Sequence, residues 1–197
     1  MNITPNEINT MSCASKKARG DVIIFGLGLG YFPYIISLKN EVKFITIIEK
    51  DSHIIDIFNK YLLPQFEQKS KIKIINCDAY NIIKSPLNYD FAFVDLWHNP
   101  DDGIEIFLDF KRNEHLSPKC EFSYWIERSF YAYLRRIFIA LLYEQLNDFD
   151  EKTYQFSTST FEKIINKYYK NTKNITLKTK DDIIAILSDD SLLKLVL

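Results

Sequence analysis

The stretch that decides the fold is Asp21-Val22-Ile23-Ile24-Phe25-Gly26-Leu27-Gly28-Leu29-Gly30. Four consecutive apolar residues break into glycines at every second position. An apolar run without alternation reads as a strand buried on both faces, the form that parallel strands take. The glycines let the chain turn sharply and let another group approach the backbone with no Cβ in the way. Tyr31 to Leu38 then restores a helical period, so the stretch predicts strand, tight turn, helix.

Outward from this stretch the alternation repeats. Lys43 to Glu49 reads as a second buried strand. Ser52 to Leu63 reads as an amphipathic helix, with Ile54, Ile55, Ile57, Phe58 and Leu62 near one stripe and Pro64 as its stop. Ile72 to Asn76 gives a third strand, Tyr80 to Lys84 a short helix, and Tyr89 to Asp95 a fourth strand. Upstream, Thr4-Pro5-Asn6-Glu7 is a capping box with proline at the first helical position, which starts a helix running to Lys17. Strands alternating with helices at this spacing predict an α/β chain with a Rossmann-like, doubly wound, mostly parallel sheet.

After Asp95 the character changes. Asp101 to Phe110 reads as a helix, and Glu121 to Trp125 as a short fifth strand or the first turn of the next helix. Ile126 to Asn147 is a long aromatic-rich helix. Another runs from Thr160 to Asn171, capped by Ser159 with Glu162 three residues on. Two helical pieces, Asp181 to Leu187 and Asp190 to Leu197, finish the chain. The expected organisation is an N-terminal helix at 1–20, a cofactor-binding core at 21–125, and a helical extension of the same domain at 126–197.

Composition narrows the function classes. The net charge of −1 supplies no global basic field for nucleic acid. Cys13, Cys77 and Cys120 are scattered, with no Cys-x-x-Cys or Cys/His spacing, so no metal site is expected. An odd cysteine count fits a reducing, cytoplasmic setting. No signal peptide is seen, and the longest apolar stretch, Ile137 to Tyr143, falls far short of the ~20 residues that span a bilayer.

Four features at successive strand ends carry the chemistry. The first is the glycine loop Gly26, Gly28 and Gly30, leading into Tyr31 and the free N–H groups of the next helix. The second is Glu49, 19 residues after Gly30, with Lys50 beside it. An acid at about that distance, at that strand end, accepts hydrogen bonds from both ribose hydroxyls in nucleoside-binding folds. The third is Asp78-Ala79, where a carboxylate can accept from an adenine amino group and the next N–H can face a ring nitrogen. Asp78 is equally placed to cap the helix that begins there. The fourth is Asp95 with Leu96-Trp97-His98-Asn99-Pro100. Open α/β sheets bind ligands outside the carboxyl ends of their strands, and all four features fall on that edge.

With these residues the region from Asp21 to Phe107 resembles the class I S-adenosylmethionine-dependent methyltransferases, nearest the spermidine-synthase-like branch. The resemblance implies S-adenosylmethionine as cofactor. It assigns Gly26, Gly28, Gly30, Tyr31, Glu49, Lys50, Asp78, Ala79 and Asp95 to cofactor binding. Many methyltransferases carry an acid two residues before the first glycine; this chain has Ile24, as that branch also lacks the acid. The run Tyr89-Asp90-Phe91-Ala92-Phe93-Val94-Asp95 is similar to the fourth strand of the same branch. An aminopropyltransferase would carry a second, well-spaced aspartate after that strand, to which Asp101 is a poor match, and an N-terminal β-hairpin domain. The short segment before the first strand makes the chain read as a piece of a longer protein. The usual sheet of such proteins ends with two further strands, whereas the tail here reads as helix.

The expectation is therefore methyl transfer to a small-molecule acceptor. Asp95 would orient the acceptor or the cofactor amine, His98 would serve as general base, and Trp97 would wall the acceptor pocket. The alternatives are a methyltransferase-like domain that binds partners without catalysis, and an aminopropyltransferase-like enzyme. The aromatic stripe Phe130, Tyr131, Tyr133, Leu134, Ile137, Phe138, Leu141, Leu142 and Tyr143 is mostly core, with part of it suited to a homodimer face or to the wall of an acceptor pocket. Lysines 163, 167, 170, 173, 178 and 180 make a locally basic tail, diluted by Glu162, Asp181 and Asp182. RNA would dock there if it were the acceptor.

Overall fold

The computed structural model describes residues 4–97, 100–147, 159–172 and 174–188. Five strands form one sheet: β1 (Gly20–Phe25), β2 (Val42–Glu49), β3 (Ile72–Asn76), β4 (Phe91–Val94) and β5 (Glu121–Tyr124). Their order is β3-β2-β1-β4-β5, and every pairing is parallel. The chain lays strands outward from β1 to β3, then returns to place β4 on the other side of β1. That reversal is the switch point beside which open α/β sheets bind ligands. The ambiguous stretch at Glu121 is a strand, in register with β4 through Phe91 and Glu121. Among the described residues no strand comes after it.

The central strands β1 and β4 are buried on both faces, which explains their unalternating sequences. Val22, Ile23, Ile24 and Phe25 are each at most 1% exposed. Val22, Ile24, Ile45, Ile47, Phe91 and Phe93 point to one face. There they meet Phe32 and Ile36 of α2 (Tyr31–Ser37), and Phe58, which comes directly after α3 (Ser52–Ile57). Phe32 stacks on Phe93 with ring centres 3.8 Å apart. On the opposite face Phe25 meets Phe110 edge-on at 5.1 Å, and Phe110 also meets Tyr80 of α4 (Ala79–Ile83).

The helix expected over Ser52 to Leu63 is not one regular helix. After α3 it widens into a π turn, Phe58–Leu62, then tightens into a 3-10 turn, Leu63–Gln65. Pro64 opens that last turn rather than ending a helix. The wider turn lets Phe58 point under the glycine loop while Leu62 and Leu63 still pack on the core.

Two lysines finish helices that they do not belong to. Lys39 Nζ donates to the carbonyls of Ser15, Lys16 and Ala18 at 2.7, 3.1 and 2.7 Å, closing α1 (Pro5–Lys17). Lys71 Nζ donates to the carbonyls of Ser37 and Lys39, each at 2.9 Å, closing α2. An ammonium satisfies the orphan carbonyls at a helix C-terminus and sits at the negative end of its dipole.

The chain divides into two compact units, Met1–Trp97 with Asp109–Ile126, and His98–Leu108 with Glu127–Leu197. The first holds the sheet. The helix α5 (Pro100–Asn113) contributes to both. The second unit is helical, with α6 (Glu127–Leu146), α7 (Ser159–Thr172) and α8 (Lys180–Ser188). Phe138 and Tyr168 stack at 4.3 Å in its core, and Phe130, Leu134, Phe161 and Ile183 are buried there. Gln145 Nε2 ties α6 to the end of α7 through the carbonyls of Thr172 and Ile175. The expected terminal piece Asp190 to Leu197 lies outside the described residues. No helix among the described residues is long and apolar enough to cross a membrane.

Candidate functional site

The carboxyl ends of β3, β2, β1 and β4 form one edge, and register places the sequence features along it. Phe25 pairs with Ile48 on one side and Val94 on the other, and Glu49 pairs with Asn76. Gly26 therefore sits between Glu49 and Asp95, and Asp78 lies two residues beyond Asn76. Four adjacent strand positions at about 4.8 Å spacing give a row about 14 Å long.

Gly26, Gly28 and Gly30 all have positive φ, at 95°, 55° and 76°. Two of them are demanded by the protein itself. A Cβ on Gly26 would lie 2.1 Å from the Asp95 carbonyl oxygen, and one on Gly30 would lie 2.3 Å from a ring carbon of Phe58. Gly26 lets β1 and the β4 loop come together, and Gly30 lets the loop settle on the π turn. Gly30 also starts α2, with Tyr31 half-buried as its first residue.

Glu49 is half-buried and holds the loop in place. Its Oε2 accepts from Leu27 N–H at 3.0 Å, and its Oε1 from Asp51 N–H at 2.9 Å. A carboxylate has about four lone-pair positions, so each oxygen keeps one for another donor. The sequence marks the acid; its hold on Leu27, 22 residues back, becomes visible only in three dimensions. Lys50 is exposed. Asp51 caps α3 by accepting from His53 N–H at 2.9 Å, and this bond holds the Asp51 carboxyl below its ordinary range.

Asp78 is exposed and caps α4, its Oδ1 accepting from Tyr80 N–H at 2.9 Å. Among the described residues its second oxygen makes no hydrogen bond, and the neighbouring Ala79 is buried. Asp95 is half-buried, and its N–H continues the sheet to the Phe25 carbonyl at 2.9 Å. Trp97 is 6% exposed and lies over Tyr124, ring centres 6.3 Å apart. Its indole N–H is buried with no acceptor among the described residues. His98 lies outside the described residues. No metal-binding group of His, Cys, Asp and Glu occurs among the described residues.

The arrangement offers hydrogen-bond acceptors in a row: Glu49, then Asp78 on one side of the glycine loop and Asp95 on the other. A ligand suited to it presents hydroxyl or amino donors along its length.

The family model described as "Spermine/spermidine synthase domain" matches residues 3–121. No curated protein matches the chain. Among solved structures, spermidine synthase from Thermotoga maritima aligns at 17% identity and TM-score 0.43, covering 62% of this chain and 45% of that one. A spermidine synthase in complex with the transition state analogue AdoDATO aligns at 16% and 0.40, covering 56% and 38%. A conserved hypothetical protein from Streptococcus pyogenes aligns at 13% and 0.39, covering 52% and 66%. The alignments span less than half the length of the two synthases.

Proposed function

The chain belongs to the spermine/spermidine synthase domain family, and from that membership we propose that it takes an adenosyl sulfonium of the decarboxylated S-adenosylmethionine class and passes its aminopropyl group to an amine. The family match is the observation that carries this reading, and it favours aminopropyl transfer over methyl transfer. The row of carboxylates fits the ligand: Glu49 for the ribose hydroxyls, Asp78 for the adenine amino group, Asp95 for an amine at the reacting end.

When bound, the sulfonium supplies the leaving group: the carbon–sulfur bond breaks as a carbon–nitrogen bond forms, and the electron pair stays on sulfur as a neutral thioether. The chain's own part is positioning and proton handling. Glu49 fixes the loop through Leu27 and the ribose through its remaining lone pairs. Asp95 orients the incoming amine and receives its proton. Trp97 and the buried ends of β1 and β4 keep that corner dry.

A second reading, binding without turnover, is favoured by one observation. The residues after Asp95 run Leu96-Trp97-His98-Asn99-Pro100, with no second carboxylate before Asp101. Titration calorimetry with decarboxylated S-adenosylmethionine, S-adenosylmethionine and 5′-methylthioadenosine, then an assay with a diamine, separates the readings. Binding of the decarboxylated ligand with formation of methylthioadenosine is expected. Binding without product supports the second reading, preference for S-adenosylmethionine returns the chain to methyl transfer, and no heat with any of the three removes the nucleoside site.

A further inference from the structure

At the opposite edge of the sheet, where the strands begin, the first unit holds a cavity of about 330 Å³. It is lined by Asp21 in β1, by Asn88, Tyr89 and Asp90 just before β4, and by Ser117 and Lys119 just before β5. The volume lies at the lower end of the range that holds small molecules.

The backbone around the cavity is already satisfied. Asp21 N–H donates to Asp90 Oδ2 at 2.8 Å, and Asp90 N–H donates to the Asp21 carbonyl at 2.8 Å. Leu87 N–H donates to Ser117 Oγ at 2.7 Å, and Cys120 N–H to the Ser117 carbonyl at 3.0 Å. What stays open is on the side chains. Among the described residues the Asp21 carboxylate, the Asn88 amide, the Tyr89 hydroxyl and the Lys119 ammonium make no hydrogen bond or ion pair. Lys119 shares a cavity with two carboxylates and pairs with neither. Lys17 and Arg19, just upstream of β1, are held by Glu121 at 3.2 and 3.0 Å.

We propose that this cavity is a second ligand site, for a small zwitterion whose ammonium meets Asp21 and the free oxygen of Asp90 and whose carboxylate meets Lys119. Asn88 and Tyr89 supply both donors and acceptors for polar atoms between the two ends. A simple carboxylate would be repelled by two aspartates, and a diamine would bring its second ammonium against Lys119. Two carboxylates against one ammonium leave the cavity lining with a net negative balance, which suits an ammonium end. The proposal does not depend on the nucleoside site, which lies at the other ends of the same strands.

The test is calorimetry on the full chain with glycine, 4-aminobutyrate and 6-aminohexanoate, whose charges are progressively further apart, and with butyrate and 1,4-diaminobutane as controls. One of the amino acids is expected to bind at least about tenfold more tightly than either control. Lys119→Met and Asp21→Asn are each expected to weaken that binding about tenfold, as for loss of one charge-assisted contact. Neither should move the melting temperature of the free protein by more than about 1 °C, because neither side chain loses a partner. Equal binding of the diamine, no binding of any amino acid, or indifference to both substitutions would overturn the proposal. Titrating the same variants with 5′-methylthioadenosine separates a failure here from a failure at the glycine loop.

Discussion

At the scale of single residues, Glu49 carries two duties that substitution can separate. Glu49→Gln keeps one acceptor and turns an NH₂ group toward a backbone N–H. Loss of a half-buried acceptor from Leu27 or Asp51 should cost about 1–3 kcal/mol in the ligand-free protein, read by urea unfolding. Calorimetry with 5′-methylthioadenosine should also show affinity falling about tenfold or more if the remaining lone pairs hold ribose. Unchanged affinity with lowered stability would leave Glu49 a loop clamp alone. Gly30 is a sharper case. Gly30→Ala meets both a positive φ of 76° and the Phe58 ring. A side chain in that conformation costs about 1–3 kcal/mol before the clash is counted, so the melting temperature should fall by about 4 °C or more. The two outer loop glycines are thus required by packing whether or not a ligand binds. Gly-x-Gly-x-Gly could not by itself announce a nucleoside site, and the neighbouring acids had to be weighed with it.

Among elements, Phe58 shows how much rests on the π turn. It is 1% exposed and meets Phe66 edge-on at 5.5 Å while filling the space beneath Gly30. Phe58→Ala should cost about 3–5 kcal/mol, measured by denaturant unfolding, and should loosen the glycine loop with it. The sequence did not reveal this turn. Ile54, Ile55, Ile57, Phe58 and Leu62 suit a regular helix as well as a widened one over so few residues, and the choice is made by contact with a loop 28 residues earlier. β1 and β4 were legible because burial on both faces leaves an unbroken apolar run, and β2 and β3 because isoleucine-rich stretches remain around their lysines. β5 was ambiguous because Glu121-Phe122-Ser123-Tyr124 alternates and leads almost at once into α6. Pairing with Phe91 to Val94, some 30 residues away, fixes it as a strand. The acids of the candidate site were legible for a simpler reason: each comes just after, or at the end of, a strand that was itself legible.

For the whole molecule, pH response and ligand response give two further measurements. Burial raises the Glu121 carboxyl, but Lys17 and Arg19 outweigh it and hold the group below its ordinary value of 4.5. The stabilisation is therefore present above that value and fades as pH falls through the lower, folded value. The pair is about one-third exposed on the Glu121 side, so its worth should stay under about 1 kcal/mol. Glu121→Gln should lower stability at neutral pH by that amount, with wild type and variant converging once the pH falls below the lowered folded value. Salt should shrink the difference. Methylthioadenosine at about 100 times its dissociation constant should raise stability by about 2.7 kcal/mol. Hydrogen exchange should slow at the glycine loop, Glu49, Asp78 and Asp95 if the proposed site is the one filled. The lysine clamps described with the fold bear on the order in which the chain acquires its shape. α1 comes before Lys39 in the chain, yet its last carbonyls wait for that residue, and those of α2 wait for Lys71. Each helix is completed by a residue synthesised after it, so during synthesis the first unit closes in steps: the end of α1 is sealed once Lys39 has emerged, and that of α2 only once the turn before β3 has followed.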